Sequence, residues 1–429
     1  MSGQRFWYSL QEAKREEYCV NHRLRTDAND IVKRAIGAVL PDEAVRRALA
    51  GFAPSAGRLL LVAAGKAAWQ MTRAALQVLP PLDGGVVITK YDHVQGPLPG
   101  VICCEAGHPV PDENSFAATR AALDLTRGLH QEDTVVFLLS GGGSALFEQP
   151  LISGAELQGI TRQLLGCGAD IVEINTLRKR FSAVKGGRFA EHCAPAQVFQ
   201  VVLSDILGDP LDMIASGPAC PDSATCADAL AVAEKYALHM SREAEACLER
   251  ETPKVLCNVN TRITGSVREL CTAAAAACRD LGYEPWILTD HLDCEAREAG
   301  RFLSAIARTH GGEGHRLAFV AGGETVVHLT GKGVGGRNQE LALAAAPGLA
   351  GLNAAVFSVG SDGTDGPTDA AGGYADGDTL TALTRLGWSV PAVLADNDAY
   401  HALRAVDGLL VTGPTGTNVN DVAVVLVDG

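Results

Sequence analysis

Short, predominantly apolar runs alternate with amphipathic stretches over the first half of the chain. A strand that is buried on both faces, as in a parallel sheet, has such a continuous apolar pattern. The runs lie at 58–64, 85–89, 101–105, 135–139 and 197–204. Stretches of helical periodicity separate them, and two further helices, divided at Pro41, are predicted within 26–51. Alternation across residues 55–210 predicts a doubly wound, Rossmann-like, mostly parallel sheet.

The alternation restarts after Pro253. Strands are predicted at 256–258, 284–288, 316–322, 324–330, 354–360, 409–412 and 422–427, with helices at 266–282, 297–308 and 338–346. The Gly322-Gly323 pair predicts a turn that makes the strand at 324–330 antiparallel to the preceding one. We therefore predict two α/β domains, a Rossmann-like domain at 1–250 and a smaller mixed-sheet domain at 251–429.

Composition excludes several classes of function. A formal net charge of −14 disfavours non-specific nucleic-acid binding, which needs a basic surface. The charged, amphipathic stretch at 11–25 does not resemble a secretory signal. Pro347 and several glycines interrupt the longest near-apolar run, 341–359, so we predict no membrane span. The 12 cysteines form no C-x-x-C pair, which predicts reduced, buried thiols, no zinc site and a cytoplasmic protein.

The segment at 134–147 carries the most specific chemical signal. An apolar strand is followed by Ser140, by three glycines (Gly141, Gly142 and Gly143), and by Ser144 at the start of a short helix. Free backbone N–H groups and a helix N-terminus at one point bind anions, and phosphate is the expected occupant. A tight packing turn with nothing bound is the alternative. The loop has neither the G-x-x-x-x-G-K-[ST] nor the G-x-G-x-x-G spacing.

Two charged residues follow other strands of the predicted first sheet. Lys66 follows the first strand at a helix N-terminus, where a cation opposes the helix dipole unless an anionic ligand is bound. Asp205 follows the strand at 197–204, where a carboxylate binds Mg²⁺ or accepts a hydroxyl proton. A solvated lysine and a helix-capping aspartate are the respective alternatives.

The only dense basic cluster in this acidic chain lies at 178–188. Arg178, Ser182 and Lys185 are predicted to lie about one turn apart on one helical face, where they would receive a phosphate or a carboxylate. A solvated charged face is the alternative.

A second glycine loop, 331–336, leads into a helix that begins with Arg337, a residue type that grips carboxylate or phosphate with two hydrogen bonds. Two such loops predict a ligand pair with charged ends. Asp362 and Asp365 lie in a loop after a strand and predict either a magnesium site or tight Asp-Gly turns. Among the histidines, only His108, in a G-H-P segment, is singled out.

These segments together resemble the class II glycerate kinase family, also called glycerate 2-kinases, whose C-terminal part is the MOFRL domain. The matching segments are A-A-G-K-A-A (63–68), L-S-G-G-G-S-A-L (139–146), N-T-L-R-K-R-F-S-A-V-K-G-G-R (175–188), S-D-I-L-G-D-P (204–210), A-S-G-P (215–218), G-G-E-T (322–325), G-G-R-N-Q-E (335–340), S-D-G-T-D-G-P-T-D-A-A-G (361–372) and G-P-T-G-T-N-V-N-D (413–421). They occur in order over nearly the whole chain.

The resemblance implies transfer of the γ-phosphoryl group of ATP to the 2-hydroxyl group of D-glycerate, in a cleft between two α/β domains. It implies catalytic roles for Lys66, Asp205 and Arg337. The expected nucleotide- or substrate-binding residues are Ser140, Gly141, Gly142, Gly143, Ser144, Lys185, Asp362, Asp365 and Asn418. Mg²⁺ is expected to bridge the phosphates, with its protein ligands unassigned. No nucleic acid or membrane partner is expected, and a homodimer is left open.

Two other functions compete with this hypothesis. An NAD(P)H-dependent hydroxypyruvate reductase would need a dinucleotide fingerprint, which neither glycine loop provides. A non-catalytic nucleotide-binding regulator would bind ATP without turnover.

Overall fold

Twelve strands form two six-stranded sheets in the computed structural model, which describes residues 21–204, 206–208, 210–312 and 314–429. The strands of the first sheet are β1 (Leu59–Ala64), β2 (Gly84–Lys90), β3 (Val101–Ala106), β4 (Thr134–Leu139), β5 (Gln197–Leu203) and β6 (Val259–Thr264). All pair in parallel in the order β3-β2-β1-β4-β5-β6. This is the doubly wound order, so the predicted Rossmann-like sheet is confirmed.

The order of strands reverses between β1 and β4, which are both completely buried. They pair from Leu59–Thr134 to Ala64–Leu139, so their carboxyl ends are level with each other. In open α/β sheets, ligands bind beyond the carboxyl ends of the strands at such a reversal.

Helices cover this sheet, and an aromatic cluster fills one side of it. The ring centroids of Phe137 on β4 and Phe189 lie 4.8 Å apart, and Phe147 lies 5.1 Å from Phe189. The helices of this part of the chain are Pro41–Ala48, Ala68–Ala75, Glu113–Leu125, Gly143–Leu146, Gly154–Gly166, Ile171–Arg180, Arg188–Cys193, Cys226–Lys235 and Arg242–Leu248, with a 3₁₀ turn at Ile214–Ser216.

The second sheet is mixed, as predicted. Its strands are β7 (Glu284–Leu292), β8 (Arg316–Gly323), β9 (Ala354–Gly360), β10 (Gly372–Asp376), β11 (Leu409–Leu410) and β12 (Asp421–Asp428), in the order β11-β10-β9-β12-β8-β7. β12 is antiparallel to both of its neighbours, β8 and β9, whereas β7 and β8 are parallel. The accompanying helices are His22–Val39, Val267–Asp280, Ala296–His310, Arg337–Leu349, Thr379–Arg385, Val390–Asp396 and Ala399–Ala405.

Two of the predicted strands are wrong, and one observed strand was not predicted. The strand predicted at 256–258 begins instead at Val259. Residues 324–330 form no strand, because β8 continues through Gly323, which pairs with Asp421, and no turn reverses the chain at Gly322-Gly323. The buried strand β10 was not predicted, because its glycine-rich start in A-A-G-G-Y is typical of a loop.

The compact units divide the chain differently from the predicted domains at 1–250 and 251–429. One unit is Pro41–Thr264, and the other combines the N-terminal helix with Gly265–Gly429. The reason for the first difference is that β6 adds to the parallel sheet by pairing with β5. The reason for the second is that Asp27, on the N-terminal helix, accepts hydrogen bonds from Tyr283 and Arg316.

Across the described ranges, no helix is both long enough and apolar enough to cross a membrane.

Candidate active site

The turns that follow β1 and β4 are joined to each other by hydrogen bonds. The backbone N–H of Lys66 donates to Gly141 (2.9 Å), and that of Ser140 donates to Ala64 (3.0 Å). The buried hydroxyl oxygen of Ser140 accepts from the N–H of Ala67 (3.1 Å). A Cβ atom at Gly65, which has φ +128°, would clash with this hydroxyl, so the close approach requires glycine. Lys66 and the glycine loop are therefore held side by side.

The loop presents unused hydrogen-bond donors. Within the described residues, the backbone N–H groups of Gly141, Gly142 and Ser144 have no acceptor. Gly142 has φ +86° and caps the single helical turn Gly143–Leu146. Unpaired N–H groups that point out of a turn are the usual ligands of phosphate oxygens. The loop thus has the donors that the sequence predicted.

Lys66 and His108 flank the same glycine. A Cβ atom at Gly142 would lie 3.0 Å from the His108 ring and 3.2 Å from Cγ of Lys66. Lys66 is exposed, whereas His108 is half-buried. Burial, together with the charge of Lys66, lowers the pKa of His108, so its imidazole is held neutral beside the lysine. His108, singled out in the sequence, thus lies next to the glycine loop Gly141–Gly143.

A strained segment that the sequence analysis quoted only as a family motif, without assigning it a role, packs against the loop. Ala215 and Ser216 both have positive φ, +51° and +58°. The Cβ of Ala215 would lie 2.8 Å from a Cβ at Gly143, and Ser216 donates to Asn175 (2.8 Å). Two consecutive non-glycine residues in the left-handed region are costly and concentrate at functional sites. The A-S-G-P motif was the signal for this segment.

The basic segment differs from the prediction of one helical face. The helix ends at Arg180, so Ser182 and Lys185 do not lie on it with Arg178. The ammonium of Lys185 is fully buried and donates to Glu148 (2.7 Å) and to the carbonyl of Phe147 (3.0 Å). Ligand binding by Lys185 stays a prediction, and any such role would compete with these two contacts.

Three more cations of this segment have internal partners. Lys179 donates to Asp222 (3.0 Å), and the buried guanidinium of Arg180 donates to the carbonyl of Ala224 (2.6 Å). Arg188 donates to the carbonyls of residues 179, 180 and 182 at the end of the helix. The segment is therefore mainly a set of buried contacts, and the alternative of a solvated face is also wrong.

In the other unit, Arg337 is bound by two carboxylates. Its Nε and Nη2 donate to Asp421 (2.6 and 3.1 Å), and its Nη1 donates to Glu324 (2.8 Å). Asp421 is buried and Glu324 is exposed. Burial raises the pKa of Asp421, which makes its pairing with the arginine necessary. An incoming anion would have to replace Glu324, the exposed partner.

The helix that follows the second glycine loop already holds an anion of the protein. The carboxylate of Asp365 accepts from the N–H groups of Asn338 (3.2 Å) and Gln339 (2.9 Å). Burial raises the pKa of Asp365 to about 6. Gly333 donates to the carbonyl of Asp396 (2.8 Å), so this loop serves close packing. The expected external anion at these amides is therefore replaced by Asp365, whose own ligand-binding role stays a prediction.

Other predicted site residues are found in turns. Asp362 accepts from the N–H of Thr364 through one carboxylate oxygen (2.9 Å), and Asn418 accepts from Asn420 (3.3 Å). Asp205 lies outside the described residues. The described residues contain no group of three His, Cys, Asp or Glu side chains that would hold a metal. The predicted ligand roles of Asp205, Asp362 and Asn418 stay predictions.

Comparison with known proteins gives two family matches. Residues 27–249 match the domain of unknown function DUF4147, and residues 317–421 match the MOFRL family. The chain is 51% identical to a D-glycerate 2-kinase of Thermotoga maritima over 94% of this chain and 98% of that protein. A crystal structure of a glycerate kinase from the same organism has a TM-score of 0.90 and 50% identity, and the match covers 94% of this chain and 99% of that one. A putative hydroxypyruvate reductase of Agrobacterium vitis is 37% identical over 97% of this chain and all of that protein.

Proposed function

Because this chain belongs to the glycerate 2-kinase family, we propose that it transfers the γ-phosphoryl group of ATP to the 2-hydroxyl group of D-glycerate. The products are 2-phosphoglycerate and ADP. The family resemblance inferred from the sequence motifs is confirmed.

The observation that carries the proposal is the phosphate loop beyond β1 and β4. The N–H groups of Gly141, Gly142 and Ser144, which have no acceptor among the described residues, lie beside the exposed Lys66 at the reversal of the strand order. Phosphoryl transfer needs positioning and neutralisation of spreading negative charge more than it needs a strong nucleophile. Preformed donors and a cation at a sheet edge supply both.

In the proposed reaction, the 2-hydroxyl oxygen forms a bond to the γ-phosphorus while the bond to the β,γ-bridging oxygen breaks. The loop amides hold the phosphates, and Lys66 balances the charge on the migrating group. We assign the hydroxyl proton to the carboxylate of Asp205, on the basis of its place in the S-D-I-L-G-D-P motif. Arg337 binds anionic oxygen after exchanging Glu324 for the ligand.

Magnesium is proposed to enter with the nucleotide. Mg²⁺ usually keeps several waters and takes one or two carboxylates together with substrate phosphates, so a cage of protein ligands is not required. Asp362 fits this chemistry, because it is half-buried and only one of its carboxylate oxygens accepts a hydrogen bond from the residues that the structure describes. When bound, Mg²⁺ neutralises charge that develops between the β- and γ-phosphates. A cytoplasmic location, where ATP is available, belongs to the same proposal.

The chain lacks the dinucleotide fingerprint that the competing reductase activity would need. The turn after β1, where the doubly wound fold places its dinucleotide fingerprint, is Gly65-Lys66-Ala67 and has no G-x-G-x-x-G spacing. A lysine in that turn suits a phosphoryl group.

The decisive experiment incubates the protein with MgATP and D-glycerate and identifies the product by phosphorus NMR, which separates 2-phosphoglycerate from 3-phosphoglycerate. We expect 2-phosphoglycerate and an equal amount of ADP. A parallel reaction with hydroxypyruvate and NADH or NADPH should show no loss of absorbance. Nicotinamide oxidation without ADP release would replace the proposal by the reductase.

A further inference from the structure

A cavity of about 320 Å³ opens next to the phosphate loop, inside the unit Pro41–Thr264. Ser144 and Ala145, from the loop, form part of its wall. The opposite walls are the proline-rich segment 109–111 and the helix Gly154–Gly166. Its volume is at the lower end of the range for small-molecule sites, so it suits a small ligand.

Arg178 lines this cavity and differs from the other cations of its segment. Lys179, Arg180, Lys185 and Arg188 all donate to internal acceptors. The guanidinium of Arg178 has no hydrogen bond to any acceptor in the described parts of the chain, although its side chain is half-buried. Burial lowers the pKa of Arg178, and Glu148 only partly offsets this effect. A half-buried guanidinium without a partner is a receptor for a carboxylate or a phosphate.

Glu148, on the cavity wall, provides the complementary group. Its Oε2 accepts from Lys185 (2.7 Å), while its buried Oε1 has no hydrogen-bond partner in the part of the chain that the structure describes. A carboxylate oxygen repels phosphate oxygens but accepts from a hydroxyl group. The charges of Glu148 and Lys185 cancel, so the two arginines that line the cavity, Arg178 and the exposed Arg162, give its wall a net positive charge.

From this arrangement we propose that the cavity binds the acceptor substrate as a small 2-hydroxy acid, with Arg178 on its carboxylate and Glu148 on a hydroxyl group. This assignment rests on the proposed kinase activity and names the substrate pocket of that same site. A cavity wall with a net positive charge attracts the negative charge of such an acid. Ser144 lies both in the phosphate loop and on the cavity wall, which brings the acid next to the phosphoryl donor.

The experiment compares the wild-type protein with Arg178→Gln and Arg178→Lys. Loss of a charged hydrogen bond predicts that the KM for D-glycerate rises about 10-fold to 150-fold in Arg178→Gln, with the KM for ATP nearly unchanged. Arg178→Lys should recover only part of the affinity, because lysine lacks the planar fork. Arg120→Gln, an exposed change in the same unit, is the matched control and should leave both KM values unchanged. Thermal unfolding of each variant verifies folding. The unfolding temperature should not change, because the substitution of Arg178 breaks no hydrogen bond within the described residues.

A binding measurement that requires no turnover distinguishes this inference from the proposed function. Ligand-observed NMR with D-glycerate alone should show binding to the wild type and a large loss with Arg178→Gln. If the wild type binds D-glycerate through Arg178 but forms no phosphoglycerate, the kinase proposal fails and the pocket stands. If the wild type phosphorylates D-glycerate and Arg178→Gln has an unchanged KM for it, or raises the KM for ATP instead, the pocket assignment is overturned.

Discussion

The ammonium of Lys185 lies 2.7 Å from Oε2 of Glu148, and both side chains are almost completely removed from solvent. Taking one partner of a buried pair away leaves an uncompensated charge. We predict that Lys185→Met lowers the free energy of unfolding by about 3–5 kcal/mol in urea titrations. The double variant Lys185→Met/Glu148→Gln should recover a large part of this loss, because it leaves no charge behind.

Lys235 and Glu173 form a counterpart of this pair in which the lysine side chain is exposed. Exposed ion pairs contribute about 0–1 kcal/mol, so Lys235→Met should change the free energy of unfolding little. Equal losses of unfolding free energy in Lys185→Met and Lys235→Met would contradict the prediction that the buried pair matters more for stability.

Gly142 tests the phosphate loop. Gly142→Ala places a methyl group within 3.0 Å of His108 and 3.2 Å of Lys66 and strains a backbone with φ +86°. Gly128→Ala is the matched control, since φ is +63° there and no atom lies within 4 Å of the added Cβ. Both should lose about 1–2 kcal/mol of stability, but only Gly142→Ala should lose ATP affinity, measured by calorimetric titration. Equal ATP affinities in the two variants would remove the loop from the nucleotide site.

Lys66 tests charge neutralisation in the transition state. Lys66→Ala should raise the barrier by about 2–4 kcal/mol, which steady-state kinetics would show as a fall in kcat with an unchanged unfolding temperature. Its side chain is exposed, and only its backbone takes part in the contacts described, so stability should not change. Near wild-type turnover in this variant would show that the lysine is merely solvated.

Arg337 requires a design that separates catalysis from stability. Arg337→Ala leaves the buried Asp421 unpaired and should cost about 3–5 kcal/mol of stability. Adding Asp421→Asn removes that charge and should restore folding, whereas turnover should remain lower by about 2–4 kcal/mol of barrier. If the double variant regains both stability and turnover, Arg337 is a structural residue only.

How much of this structure the sequence predicted depends on how far apart along the chain the interacting residues lie. Local patterns were sufficient to predict β1, β4 and the Ser140–Ser144 loop, because a buried strand and a glycine turn each depend on a few consecutive residues. The family motifs selected Lys66 and Arg337 as candidates, and their catalytic roles stay predictions. The buried carboxylates that pair with Lys185 and Arg337 lie 37 and 84 residues away along the chain, so local periodicity contained no sign of these two pairs.

The same limit explains the second glycine loop. Its composition resembles an anion-binding turn, and the helix after it does hold an anion, but that anion is Asp365 of the same chain. Distinguishing an internal carboxylate from an external phosphate requires knowing which loop packs against the helix. Arg178 is the opposite case, because its neighbours Lys179 and Lys185 have internal partners whereas its guanidinium has no acceptor among the residues described.

The raised pKa of Asp365 predicts that the stability of the protein depends on pH. Burial raises its pKa to about 6 from an ordinary value of 3.8, so the native state holds the proton over a range in which the unfolded chain has released it. The contribution to stability is complete below pH 3.8 and is lost as the pH rises to about 6, by roughly 3 kcal/mol in total. Asp365→Asn removes the titration and keeps the size of the side chain. Urea unfolding between pH 4 and pH 7 should therefore show the wild type losing stability relative to Asp365→Asn as the pH rises. A constant difference over that range would mean that Asp365 titrates alike in the folded and unfolded protein, and that the hydrogen bonds from Asn338 and Gln339 fully offset its burial.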